Sequence, residues 1–193
     1  ALTTFALSVA NAGWSTGSEW VGLAFFYGGL AQFAAGMWEF RKGNTFGATA
    51  FGTYGAFWLS LAFYDMFLAA KSTNPAHDLA WFVLAFAIFN TYMLLWSLRV
   101  SIAVFLVFLT LEATEILYFW GQFNGSADLV KYSGYVGVAT AAVAWYASAA
   151  GVVNSQGERR VLPVGRPPWR EPETIRVPEA GALPRVESTT PRS

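Results

Sequence analysis

The sequence has no cysteine, a single histidine and few charges. Without cysteine there is no disulfide framework and no thiolate-ligated metal. One histidine, His77, leaves neither a histidine pair for haem nor a multi-histidine zinc site. No catalytic constellation, cofactor site or metal site can be assembled from what remains. Charged residues make up 12% of the 193 positions, against roughly 25% in an ordinary soluble domain. Twelve basic residues balance twelve acidic ones, so nothing would release counterions from a phosphate backbone, and nucleic acid is excluded as a partner. Hydrophobic residues at 55% and aromatic residues at 18% exclude a wholly disordered chain. A soluble protein with an outsized core or a membrane protein is left.

Proline is also scarce until the end. Residues 154–193 hold seven of the eight prolines and twelve of the 24 charges, while residues 1–153 hold 33 of the 34 aromatics. The chain therefore divides into an apolar body, 1–153, and a polar Pro/Arg/Glu-rich tail, 154–193. The tail lacks apolar periodicity and is expected to be a mostly disordered cytoplasmic extension.

Charges punctuate the body at membrane-helix spacing. A spanning helix needs about 20 mostly apolar residues. Val21 to Trp38 is uncharged and closes at Glu39-Phe40-Arg41-Lys42. Phe46 to Ala70 carries only Asp65, Leu79 to Leu98 carries no charge, and Val100 to Trp120 carries Glu112 and Glu115. Leu129 to Gly151 has Lys131 near its start. Ala1 to Gly13 is apolar but short, and reads as a first helix truncated at its N-terminus. The expected architecture is an all-α membrane protein with six transmembrane helices, placed in the cell (plasma or inner) membrane. Arg41, Lys42, Arg99, Arg159, Arg160 and Arg166 fall on one side by this count. The positive-inside rule makes that side cytoplasmic, with both termini there.

Several polar residues are expected inside the bilayer. Gly28, Gln32 and Gly36 share one face of the second span, where small residues admit a close neighbour. Gln32 then faces either a packed helix or a pore. Asn44 or Thr45 should cap the third span. Thr45, Thr49 and Thr53 follow at four-residue spacing, either bonded back to their own helix or lining a wet path. Glu112 and Glu115 lie about 18 and 22 Å into the fifth span. Carboxyls at such depth need a partner, a proton or water, so both are functional candidates. Asp65 falls near the outer interface and His77 in a loop, where solvation accounts for each.

Residues of the second and third spans carry a family resemblance. Phe26-Tyr27-Gly28-Gly29-Leu30-Ala31-Gln32, then Ala35 through Gly47, then Thr49-Ala50-Phe51 and Tyr54-Gly55-Ala56-Phe57-Trp58 resemble the acetate uptake transporter family, which includes bacterial succinate–acetate permeases and fungal acetate transporters. Thr3-Thr4 with Asn11-Ala12-Gly13 and Arg160-Val161-Leu162-Pro163-Val164-Gly165 extend the likeness to residues 1–165. The resemblance implies a homo-hexamer whose protomers each conduct acetate or a similar small carboxylate, coupled to protons. It also implies a Phe–Tyr–Leu constriction. Tyr54 matches the Tyr and Leu111 the Leu, while the Phe would precede Ala1. Thr3, Gln32, Asn44, Thr49, Thr53 and Glu115 are the polar candidates for such a pathway. Glu115 follows Leu111 by one helical turn and either lines the outer vestibule or bonds at a helix contact. A passive hexameric channel for small neutral solutes such as urea or amides is the alternative. Neither function is enzymatic.

Overall fold

The computed structural model describes residues 1–157 and 159–169. The described residues form six helical rods. These are α1 (Leu2–Asn11), α2 (Glu19–Arg41), α3 (residues 45–71), α4 (Pro75–Ser97), α5 (Ile102–Asn124) and α6 (Ala127–Ser155). Local chemistry sets the starts. Asn44, Asn74, Ser101 and Ser126 each accept a backbone N–H of the following first turn, and Pro75 opens α4 where no N–H is needed. Gly125, at φ 64°, stops α5 in the left-handed conformation and lets α6 start two residues later.

Among the described residues four helices are long and apolar enough to cross a membrane: Glu19–Arg41, Pro75–Ser97, Ile102–Asn124 and Ala127–Ser155. The expected third span, α3, is not one of them. It is about 40 Å long at 1.5 Å per residue, but Thr45, Thr49, Thr53, Ser60 and its glycines dilute its hydropathy. It buries Tyr54, Gly55, Phe57, Trp58, Leu61 and Ala62 inside the bundle. Its buried face is thus apolar and aromatic, while Thr45, Thr49 and Ser60 are exposed and Thr53 is half-buried.

Successive rods run antiparallel. Phe46 meets Phe108 at 5.5 Å between ring centroids at one end, and His77 stacks on Phe123 at 4.9 Å at the other. The first end gathers Arg41, Lys42, Arg99, Arg159, Arg160 and Arg166. His77, expected to be merely solvated, instead covers the α5 terminus through its ring. α2 packs on α3, α1 bridges α2 and α6, and α6, α5 and α4 pack in turn. Between α3 and α4 the backbones stay apart and aromatic rings fill the space. Phe57 stacks on Phe82 at 5.3 Å and meets Phe86 at 4.8 Å, while Tyr54 meets Phe89 at 5.5 Å.

Both α2 and α3 contain a stretch of wider, π-type turns, Ala24–Ala31 and Tyr64–Leu68. Such turns frequently mark functional positions. In α2 the stretch includes Gly28 and Gly29, whose missing side chains admit Trp58 and Leu59 of α3. A Cβ on Gly36 would stand 2.6 Å from the Gly52 nitrogen. The glycine stripe of α2 thus admits side chains at Gly28 and touches the α3 backbone at Gly36.

The first residues of the tail fold back. Tyr146 donates to the Pro163 carbonyl at 2.6 Å, Asn154 pairs with Val161 and Leu162, and the Ala103 N–H donates to the Val164 carbonyl at 2.9 Å. The Trp169 ring stacks on Trp96 at 5.7 Å and carries the Arg99 guanidinium at 4.8 Å. These contacts form a strap across the start of α5. The rest of the expected disordered tail, 170–193, lies outside the described residues.

Candidate functional site

Tyr54 is placed where α3, α4 and α5 converge. Its ring is 7% exposed and is enclosed by Phe57, Phe86 and Phe89. Its hydroxyl points away from the rings into a polar cluster. It lies 2.9 Å from Asn90 Oδ1 and 3.3 Å from Glu115 Oε1, and is the donor to both.

Asn90 is completely buried. Its amide nitrogen donates to the Phe108 carbonyl at 2.9 Å and to Glu112 Oε2 at 2.6 Å. Those two acceptors orient the amide, since the NH2 must face α5 and the carbonyl oxygen must then face Tyr54. Thr91 donates to Glu112 Oε1 at 2.8 Å and to the Ala87 carbonyl at 2.9 Å. Glu115 is 5% exposed, and its Oε2 has no hydrogen-bond partner among the described residues. The two carboxyls, three residues apart on α5, therefore differ. Glu112 receives two side-chain donors, whereas Glu115 receives one and keeps one bare oxygen.

Leu111 is half-buried and packs against the apolar cluster that contains Tyr54, Phe57, Phe89 and Phe108. At the end of the molecule away from the basic residues, a cavity of about 530 Å³ opens between α2, α3 and α4. Its wall includes Phe25, Leu59, Tyr64, Asp78 and Phe82. Phe82 stacks on Phe57, which touches Tyr54, so a short aromatic column joins the cavity to the polar cluster.

The structure brings Tyr54, Leu111 and Glu115 together and adds Asn90, Thr91 and Glu112. It does not bring the other candidates to them. Thr3 is buried on α1, donates to the Leu23 carbonyl at 3.4 Å and packs beside Gly28. Gln32 is half-buried on α2, just past the wide turns. Asn44 is exposed at the end of α3, where it accepts from the Gly47 N–H and donates to Glu39. Thr49 is exposed and Thr53 half-buried on α3. Asn90 escaped the sequence reading because its span is uncharged. The available signal was a lone amide near the middle of an otherwise apolar helix, which needs partners as a carboxyl does.

Residues 1–169 match the GPR1/FUN34/yaaH family. The chain is 36% identical over 189 residues to "Acetate permease A" of Emericella nidulans, covering 88% of this chain and 63% of that protein. It is 33% identical over 167 residues to "Succinate-acetate/proton symporter SatP" of Escherichia coli, covering 85% of this chain and 89% of that one. The chain thus spans less than two thirds of the fungal permease. The solved "Structure of the bacterial acetate channel SatP" superposes with a TM-score of 0.81 at 33% identity, over 85% of this chain and 92% of that chain. With its apolar helices and this relationship, the chain is a multi-pass membrane protein, and it belongs to the GPR1/FUN34/yaaH family.

Proposed function

We propose that the chain conducts acetate and related small monocarboxylates across the cell membrane, driven by the proton gradient. In this reading all six rods cross the bilayer, both termini and the basic end are cytoplasmic, and each protomer of a homo-hexamer holds its own path. The path runs from the cavity at the Asp78 end, down the aromatic column, to a constriction at Tyr54 and Leu111. The observation that carries the reading is the Tyr54 hydroxyl. It is the polar tip of an aromatic wall, aimed at buried carboxyl and amide groups in the gap between α3 and α4. An apolar ring of this kind resists hydrated ions, while a phenol offers a hydrogen bond to a small acid. The names of the acetate permease and the acetate channel among its relatives agree with it.

The test is labelled acetate uptake into proteoliposomes. Uptake should exceed that of protein-free vesicles and rise with an inward proton gradient. Tyr54→Phe removes one hydrogen bond of about 0.5–1.5 kcal/mol, so uptake should fall about two- to tenfold. Urea flux indifferent to the gradient, with no acetate uptake, would replace this reading by the neutral-solute channel.

A further inference from the structure

We infer that the acid passes Tyr54 in its protonated, uncharged form, because the polar cluster there offers hydrogen-bond acceptors and has no donor to spare. The inference rests on the acetate path proposed above.

The donors can be counted. Tyr54 and Thr91 have one polar hydrogen each and Asn90 has two. Both Asn90 hydrogens go to α5, to the Phe108 carbonyl and to Glu112. The Thr91 hydrogen is shared between Glu112 and the Ala87 carbonyl. The Tyr54 hydrogen lies between Asn90 Oδ1 and Glu115 Oε1. With both carboxyls ionised, every hydrogen of these three residues is committed, and Tyr92, the other hydroxyl near Tyr54, belongs to an exposed side chain. The acceptors are in excess, and one of them, Glu115 Oε2, is buried with no partner among the described residues.

A ligand that meets this cluster must bring its own donor. A carboxylic acid has one O–H, which Glu115 Oε2 or the Tyr54 oxygen can accept. A carboxylate has none. It would place a third set of acceptor oxygens against Glu112 and Glu115 with nothing bridging them, and a buried acceptor left unpaired is costly. The titratable groups around Tyr54 are Glu112 and Glu115 of α5 and Tyr92 of α4, and no cation faces it from these elements among the described residues. Asn90 is a positioning residue, since it holds the Tyr54 hydrogen away from the path.

The experiment measures labelled acetate flux in proteoliposomes of the full chain at fixed total acetate, corrected for protein-free vesicles. The pH is stepped from 5.5 to 7.5 with and without a potassium diffusion potential. The expected rate falls about tenfold per pH unit, as the neutral fraction does, and ignores the potential. Chloroacetate, a stronger acid of nearly the same size, should cross more slowly at each pH in proportion to its smaller neutral fraction. Glu115→Gln puts an NH2 donor at the bare oxygen with little change of shape. It should flatten the pH dependence and make flux respond to voltage. Wild-type flux that is flat with pH and driven by the potential overturns the inference while leaving the acetate path standing. Equal rates for the two acids, which would put the proton on the protein, also overturn it. Absence of acetate flux at every pH overturns the path itself. Should Glu115→Gln fail to fold, the wild-type comparison of two acids decides alone.

Discussion

Replacing Asn90 by Leu tests whether the polar cluster holds the bundle together. Leucine matches asparagine in branching and in number of side-chain heavy atoms, and its methyls are the bulkier groups, so no cavity opens and the loss counted here is hydrogen bonding. Asn90 makes three side-chain bonds, to Tyr54, Glu112 and the Phe108 carbonyl. Side-chain hydrogen bonds between membrane helices average about 0.6 kcal/mol and reach about 1.7. Their sum is about 2 kcal/mol. A larger loss would require a buried partner left stranded, and the one atom that loses its donor, Glu112 Oε2, is on a half-buried side chain. Tyr54 keeps Glu115, Glu112 keeps Thr91, and the Phe108 carbonyl belongs to a helix. The expected destabilisation is therefore about 2 kcal/mol, well short of the 3–5 typical of breaking a buried ion pair. Reversible unfolding in mixed micelles, followed by tryptophan fluorescence, measures it. A double-mutant cycle with Glu112→Leu should show coupling of about 1 kcal/mol. Coupling indistinguishable from zero would mean that the 2.6 Å contact between Asn90 and Glu112 contributes no stability, and the reasoning fails.

Gly36→Ala would set a Cβ 2.6 Å from the Gly52 backbone and should cost about 1–3 kcal/mol in the same assay. Gly22→Ala on the same helix meets nothing within 4 Å and should be neutral or stabilising by up to about 1 kcal/mol. Equal effects would deny that α2 and α3 touch through Gly36. Trp169→Ala removes the stack on Trp96 and the Arg99 contact. A cation–π loss of about 1 kcal/mol should raise tryptic cleavage after Arg160 about fivefold. Gly165→Ala should act alike, because Gly165 has φ 72° and its Cβ would stand 2.6 Å from Ile102. Cleavage unchanged in both variants would mean that the strap is held elsewhere.

The helical rods were legible because their limits are written in charge and capping residues. Arg41-Lys42, Asn74-Pro75, Arg99 and the Gly125-Ser126 pair fall at rod ends. The close approach of α2 and α3 was legible in Gly28 and Gly36 for the same reason, since a missing side chain is a local fact. The polar cluster was legible only in half. Glu112 and Glu115 announced themselves by cost, and Tyr54 by resemblance. Asn90 is distant from all three in sequence, 36 residues from Tyr54 and 22 from Glu112. Their meeting depends on how α3, α4 and α5 are rotated about their axes, which periodicity along one helix does not encode. The wide turns of Ala24–Ala31 were invisible for a related reason. They coincide with the place where Gly28 and Gly29 meet Trp58 and Leu59 of a neighbour.

The aromatic layer between α3 and α4 and the polar cluster are parts of one arrangement. If α3 and α4 packed as closely as α2 and α3 do at Gly36 and Gly52, Tyr54 would have no room to extend its ring toward Asn90. Large rings at Phe57, Phe82, Phe86 and Phe89 hold the two helices at the distance one tyrosine can bridge. The same rings exclude water from the bridge, and in that dry setting each hydrogen bond is stronger and each unpaired acceptor costs more. Asn90 then decides which way the phenol points. The selectivity proposed for the protonated acid follows from that order of causes. Aromatic spacing creates the gap, the amide directs the Tyr54 hydroxyl, and Glu115 is left with an oxygen that a carboxylic acid can satisfy and a carboxylate cannot.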